Sequence, residues 1–263
     1  MTEILAALDA MCQVIATDTT SLWPREVFAL PRVGYMRALS AEGIVALNPS
    51  LVLVSDRSGP AATLQQIKDA GVDLRLIPDE PSIVEVPAKI EAVGQAIGAA
   101  TQGTALARTV EADLAQLGRE VAGLPKRKAR VLFLLSVAHG VPMAGGTDTA
   151  ADAMIALAGA ENVAAGFSGY KPMTAESTVA AQPDAVVMMA HAVEGAGGAA
   201  EILGLAHLKA TPAGRDRRLI AMDGTYLLGM GPRVAHAGRD LAAALYPDAR
   251  LAALPVRPWT APG

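Results

Sequence analysis

Two stretches of this sequence repeat one another: LSAEGIVALNP at residues 39–49 and MTAESTVAAQP at residues 173–183, 134 residues later. A Gly-Tyr pair precedes each copy, and apolar runs follow at residues 51–54 and 185–189. A repeat spaced far more widely than the roughly 20–50 residues of a solenoid predicts two similar lobes. Two lobes predict a cleft between them, where small ligands preferentially bind.

The pattern around the first copy predicts an α/β fold. The Ser40 hydroxyl can cap a helix that the following Asn-Pro pair closes. The apolar run at residues 51–54 is typical of a strand in a parallel sheet, and a helix at 63–70 and a strand at 72–77 follow it. Alternation of this kind predicts α/β lobes with parallel-type sheets.

A long helical pattern divides the chain. Apolar residues recur every three or four positions within residues 88–124, which predicts one long amphipathic helix. We therefore expect an N-terminal lobe over residues 1–100, a rigid linker helix over 101–125 and a C-terminal lobe over 126–263. A short strand is also expected at residues 12–16.

The composition excludes several classes of protein. Apolar residues make up 52% of the chain and charged residues 18%, which predicts a folded protein. No apolar stretch approaches the roughly 18 residues that span a bilayer. The net charge of -4 argues against nucleic acid as a partner. Cys12 is the sole cysteine, so no internal disulfide forms and the compartment stays open.

Signatures of enzymes are mostly missing from the sequence. Neither a phosphate-binding loop nor a complete nucleophile elbow is present, and no two histidines have the helical spacing of a zinc pair. A metal site formed by His139, His191 and Asp148, with Asp152 nearby, is the weaker hypothesis. It would make the chain a metal-dependent enzyme.

A tyrosine close to an arginine is more suggestive. Tyr35 and Arg37 lie in the segment GYMR at residues 34–37. Phenolate is a known axial ligand of haem iron, and a nearby guanidinium favours the ionised form. On residue chemistry alone, a tyrosine in a loop is more often an amphipathic packing residue.

Four segments together closely resemble the haem-binding periplasmic proteins of bacterial haem ABC importers. They are VGYMRALSAEG at 33–43, DTAADAMI at 148–155, GYKP at 169–172 and YLLGMGPR at 226–233. The repeated Ala-Glu and Pro features are similar to a wider group that also carries cobalamin and siderophores. The resemblance implies a non-enzymatic carrier that binds ferric haem between two lobes joined by a long helix and delivers it to an ABC permease. A cobalamin or siderophore carrier is the alternative.

The resemblance also assigns roles to residues. Tyr35 is implied as the axial iron ligand, supported by a hydrogen bond from Arg37. The other residues expected to line the site are Met36, Tyr170, Lys171, Met230 and Arg233. Glu42 and Glu176 match acidic residues that the wider group presents to arginines of the permease; by charge alone, they are solvated residues that complement a helix dipole.

The same resemblance implies a periplasmic monomer that touches the membrane only through its permease. Family members begin with a signal peptide and a first strand before the helix that starts near residue 2. Neither is present in this sequence, so we expect a trimmed or misassigned start. No histidine lies within residues 166–173, which leaves open whether Tyr35 binds iron alone or with a sixth ligand from elsewhere.

Overall fold

The computed structural model describes residues 1–138 and 140–260, which form two compact units. The first unit comprises Met1–Glu80, Val84–Ala112 and the residues from Val256 onward; the second comprises Pro81–Ile83 and Asp113–Pro255. Both contain helices and sheets, so the predicted α/β class is confirmed. Within the described ranges, no helix has the length and apolar character needed to cross a membrane.

The first unit is built from short elements. Its strands are β1 (Gly34–Tyr35), β2 (Ala38–Leu39), β3 (Leu51–Ser55) and β4 (Asp73–Ile77). Its helices are α1 (Thr2–Ala7), α2 (Ala41–Val45), α3 (Ala61–Asp69) and α4 (Val86–Ala96), with 3-10 helices at Met11–Gln13, Arg25–Ala29 and Pro258–Thr260. β1 and β2 form an antiparallel hairpin, whereas β3 and β4 run parallel around a core that includes Ile44, Val54 and Ile67.

Two local expectations in this part of the chain are corrected. The strand expected at residues 12–16 is absent from the described structure, because Met11–Gln13 turns into a 3-10 helix and the neighbouring bridge joins Thr17 to Arg32. The helical pattern over 88–124 is divided in two, since Gly98 adopts a φ of +76° that ends α4. The helix α5 (Ala100–Ala122) follows and contributes residues to both units.

The second unit contains a six-stranded sheet. Its strands are β5 (Arg130–Ala138), β6 (Val141–Gly145), β7 (Glu161–Asn162), β8 (Tyr170–Pro172), β9 (Ala185–Met189) and β10 (Leu219–Met222). The order is β10-β9-β5-β6-β8, with β7 paired to the start of β5. Its helices are α6 (Ala150–Leu157), α7 (Ala175–Ala181), α8 (Ala190–Gly195), α9 (Ala199–Gly204), α10 (Ala206–Lys209), α11 (Pro212–Arg215), α12 (Gly224–Leu228) and α13 (Val234–Leu245).

This sheet is parallel only in part. β10, β9 and β5 run parallel, as expected, but β6 and β8 are antiparallel to their neighbours. β6 begins within three residues of the end of β5, which is too short a connection for the crossover that a parallel pair needs. The prediction of a parallel-type sheet therefore holds for one side of the sheet.

The sequence repeat is also a structural repeat. The side chains of Ser40 and Thr174 cap α2 and α7 by accepting a hydrogen bond from the amide three residues on, at 3.0 and 3.1 Å. After each helix one residue has left-handed backbone, Asn48 at φ +46° and Gln182 at φ +42°, and a proline follows. A strand of a parallel pair, β3 or β9, then begins.

Candidate functional site

Tyr35 lies on the hairpin of β1 and β2, whose two-residue turn consists of Met36 and Arg37. Gly34 has a φ of +100°, and a Cβ there would lie 2.9 Å from the Ala38 carbonyl oxygen, so only glycine fits without strain. The Gly59 amide donates to the Met36 carbonyl at 3.0 Å. The backbone of the hairpin is thus anchored, while the side chain of Tyr35 is 46% exposed.

The four tyrosines of the chain have different surroundings. The Tyr246 hydroxyl donates to the Gly159 carbonyl at 2.8 Å, and the Tyr226 hydroxyl donates to Asp240 Oδ2 at 2.9 Å. Burial raises the pKa of Tyr170, and interactions with the Thr149 side chain and the Ala151 backbone oppose that effect. Tyr35 is the most exposed of the four, at 46% against 37% for Tyr170, and its hydroxyl makes no hydrogen bond within the described part of the chain.

Met36 and Arg37, the two residues of the hairpin turn, differ in exposure. Arg37 is exposed and forms no ion pair or hydrogen bond among the described residues, Tyr35 included, so the expected Arg37–Tyr35 hydrogen bond is not formed in this structure. Met36 is half-buried. The hairpin therefore presents an exposed phenol and an exposed guanidinium two residues apart, both available to a ligand.

Tyr170 and Lys171 lie on the edge strand β8 of the second unit. The Tyr170 ring packs edge to face against Phe133, with ring centroids 6.3 Å apart. A Cβ at Gly145 would lie 3.2 Å from the Tyr170 ring, so a glycine there leaves room for it. The Lys171 ammonium lies 5.8 Å from the centroid of Phe167, within range of a cation–π interaction.

Met230 and Arg233 lie between α12 and α13 and are largely buried, at 5% and 9% exposure. Met230 has a φ of +44°, which is uncommon for a residue other than glycine. The Arg233 guanidinium carbon lies 5.0 Å from the centroid of the Tyr226 ring. Met230 and Arg233 thus belong to one segment of the second unit, while Tyr35, Met36 and Arg37 belong to the first.

Glu42 and Glu176 are exposed in the first turns of α2 and α7. Among the described residues, neither carboxylate has a hydrogen bond or an ion pair. The helix positions that are identical between the two copies of the repeat are Ala41 and Ala175, Glu42 and Glu176, Val45 and Val179, and Ala46 and Ala180. In the second copy all four line an open groove with Ala206 and His207. The buried positions differ instead, with Ile44 in one copy and Thr178 in the other.

The profile of the family described as "Periplasmic binding protein" matches residues 1–226. The chain belongs to this periplasmic binding protein family. It is 30% identical over 253 residues to an uncharacterized ABC transporter substrate-binding lipoprotein, YvrC of Bacillus subtilis, covering 94% of this chain and 77% of that one. It is 25% identical over 193 residues to the vitamin B12-binding protein of Vibrio parahaemolyticus, covering 73% and 68% of the two chains.

Solved structures of other periplasmic binding proteins have the same fold. The haem-binding RhuT of Roseiflexus sp. RS-1 matches with a TM-score of 0.90 at 42% identity, over 95% of both chains. The haem-binding protein BhuT, in complex with two haems, matches with a TM-score of 0.88 at 38% identity, over 94% of this chain and 95% of that one. The resemblance to haem-binding periplasmic proteins is confirmed. Members of the family are substrate-binding components of ABC importers, not enzymes.

The alternative metal site finds no support in the described residues of this periplasmic binding protein. No three histidine, cysteine or acidic side chains cluster there as metal ligands. Asp152 accepts a hydrogen bond from the Asn162 side chain at 2.8 Å, while Asp148 and His191 are exposed. His139 lies outside the described residues.

Sequence reasoning missed the aromatic partners of the two basic residues in the second unit. Phe167 lies under Lys171, and Tyr226 lies under Arg233. Both aromatic residues stand within seven positions of their cation in the sequence. That proximity, together with the low aromatic content of 3%, was the available signal.

Proposed function

We propose that this periplasmic binding protein captures ferric haem, with Tyr35 as the iron ligand, and delivers it to an ABC permease. One observation carries the proposal: Tyr35 is 46% exposed and makes no hydrogen bond among the described residues, whereas the hydroxyls of Tyr226 and Tyr246 are hydrogen-bonded and Tyr170 interacts with the Thr149 side chain and the Ala151 backbone. The similarity to RhuT and BhuT supports haem as the cargo.

The chemistry of the proposed residues suits the parts of a haem. A phenolate oxygen is an axial ligand for ferric iron, and Arg37, exposed two residues away, places a positive charge on the same hairpin. Haem is a large apolar ring with two carboxylates, so Met36 and Met230 are proposed to contact the ring. Lys171 and Arg233 are proposed to pair with the carboxylates through charge-assisted hydrogen bonds.

The test is a titration of the haem-free protein with ferric haem. The unsubstituted chain should gain a phenolate-to-iron charge-transfer band. Tyr35→Phe should lack the band and bind haem at least about tenfold more weakly, a deficit of about 1.4 kcal/mol, because the ring remains but the ligand oxygen is lost. Tyr170→Phe is the matched control and should retain the band. An unaltered spectrum in Tyr35→Phe would contradict the assignment.

A cobalamin carrier is the second candidate, because the vitamin B12-binding protein of Vibrio parahaemolyticus is among the relatives. Cobalamin needs no anionic ligand from Tyr35, so the Phe variant would bind it as well as the unsubstituted chain does. Parallel titrations with cyanocobalamin and with a ferric siderophore separate the candidates. Tighter binding of either compound than of haem would replace the haem proposal.

We propose that docking to the permease uses Glu42 on α2 and Glu176 on α7. Between the copies the Ala-Glu and Val-Ala pairs are the same, whereas the buried position changes from Ile44 to Thr178 and the exposed neighbour from Gly43 to Ser177. The same exposed glutamate on each unit favours a contact with one partner. The unpaired carboxylates of Glu42 and Glu176 favour a basic partner surface.

A further inference from the structure

The Arg233 guanidinium lies against an aromatic ring. Its central carbon is 5.0 Å from the centroid of the Tyr226 ring, and the residue is 9% exposed. A guanidinium over an aromatic face is attracted by the ring quadrupole, and the attraction grows as the pair is buried. The contact joins α12, which carries Tyr226, to the first residues of α13.

Tyr226 is itself fixed at both ends. Its amide donates to Asp223 Oδ1 at 2.8 Å, which caps α12, and its hydroxyl donates to Asp240 Oδ2 at 2.9 Å. Burial, together with the charge of Asp240 and the hydrogen bond to it, raises the pKa of Tyr226 above its ordinary value. The hydroxyl therefore stays protonated and keeps donating to the carboxylate.

Asp240 is fixed in turn by a neighbouring arginine. Arg239 donates to Asp240 Oδ1 at 3.1 Å and to the carbonyl oxygens of Leu251 and Ala252 at 3.2 and 3.4 Å. The tyrosine ring is thus tied through Asp240 and Arg239 to the segment that follows α13. A ring held in this way has little freedom to turn away from Arg233.

We propose that Tyr226 is a positioning residue that holds the Arg233 guanidinium ready for a carboxylate of the ligand. Asp240 acts through Tyr226 by fixing its ring. The inference rests on the proposed function, in which Arg233 pairs with a haem carboxylate. It adds that this pairing depends on an aromatic platform that does not itself contact the iron.

The physical reason is the cost of ordering an arginine. A mobile arginine side chain loses much rotamer entropy when it is immobilised. When folding has already oriented the guanidinium, binding does not bear that cost again, and affinity for the carboxylate rises. A charged pair in a largely buried place also gains more than one in water.

The experiment compares ferric haem with its dimethyl ester, which lacks free carboxylates. We expect Arg233→Ala to weaken haem binding about tenfold and to leave the ester nearly unchanged. Tyr226→Leu, which removes the ring, should reproduce that selective loss to about threefold or more. Tyr226→Phe keeps the ring and should bind haem within about twofold of the unsubstituted chain. Asp240→Ala removes the same hydrogen bond as Tyr226→Phe and should therefore bind haem with the same affinity as that variant.

A double-mutant cycle separates positioning from a general loss of structure. Because Tyr226 acts through Arg233, Tyr226→Leu/Arg233→Ala should bind haem no more weakly than Arg233→Ala alone. Melting curves identify variants that fail to fold, and Tyr226→Phe then serves as the conservative rescue. Equal weakening for haem and ester, or additive losses in the double variant, would overturn the inference while leaving haem binding intact. No haem binding by the unsubstituted chain would overturn the proposed function as well.

Discussion

Lys89 is a buried charge, 7% exposed, and its ammonium lies 2.5 Å from Asp79 Oδ1. Burial alone would raise the pKa of Asp79, but the charge of Lys89 and the hydrogen bond from it oppose that effect, and the net result is a lowered pKa. The carboxylate is therefore more acidic in the folded chain than in the unfolded one. A pair of this kind contributes stability that depends on pH.

We predict that Asp79→Asn lowers the free energy of unfolding by about 2–3 kcal/mol at pH 7, because a buried ammonium loses its charged partner. The stabilisation from Asp79 is present above the ordinary carboxyl pKa of about 3.9 and is lost as pH falls through the lowered folded pKa. Urea denaturation between pH 3 and pH 7 should show less acid dependence in Asp79→Asn. The control is Asp79→Asn/Lys89→Met, which removes both charges and should regain much of the loss; a double variant less stable than the single one would contradict the explanation.

The helices α4 and α5 meet through two glycines, Gly94 and Gly103. A Cβ at Gly103 would lie 3.1 Å from Gly94 Cα, and a Cβ at Gly94 would lie 2.8 Å from Gly103 Cα. The two helix backbones are therefore in direct contact. Gly118 also lies on α5, but it is exposed, and a Cβ there would meet open space.

These two glycines of α5 should respond to alanine in opposite directions. Gly103→Ala should destabilise the protein by about 1–2 kcal/mol, because overpacking exceeds the gain in helix propensity. Gly118→Ala should stabilise it by about 0.5–1 kcal/mol, since alanine orders the helix without a clash. Thermal melts of both variants test the pair. Changes of the same sign in both would show that the contact with Gly94 does not control the packing.

The elements that the sequence predicted well are those with local signals. The Ser40 hydroxyl marks the start of α2 and the Asn-Pro pair marks its end, so α2 and the strand β3 after it were expected. The antiparallel pairing of β6 and β8 was not expected, because it depends on which distant strand is available. The break at Gly98 had a local signal in the glycine itself, but the continuing apolar pattern obscured it.

The predictability of the site divides in the same way. Tyr35 and Arg37 were identifiable because they are two residues apart and their chemistry is distinctive. The hydrogen bond of Tyr226 to Asp240 joins residues 14 positions apart on two helices, and no local pattern indicates it. The phenol of Tyr35 suggested an iron ligand from the sequence alone. Selecting Tyr35 among the four tyrosines required knowledge of the hydrogen bonds that the others make, which only the structure gives.

The proposed docking to the permease involves both units. Each unit carries one copy of the repeated helix, with Glu42 in the first and Glu176 in the second. An exposed single charge rarely contributes more than about 1 kcal/mol to folding, so these carboxylates are expendable for stability. We propose that they pair with basic groups of the permease.

Glu42→Ala/Glu176→Ala should therefore abolish haem uptake in cells that depend on haem for iron, while haem affinity of the purified protein stays within about twofold of the unsubstituted chain. Each single variant should retain partial uptake, because one unit can still dock. The matched control is Glu111→Ala/Glu201→Ala, which removes one exposed carboxylate from each unit outside the repeat and should support normal uptake. Uptake at the normal rate in the Glu42/Glu176 double variant would rule out docking through these residues, and a parallel loss of haem affinity would place them at the ligand instead.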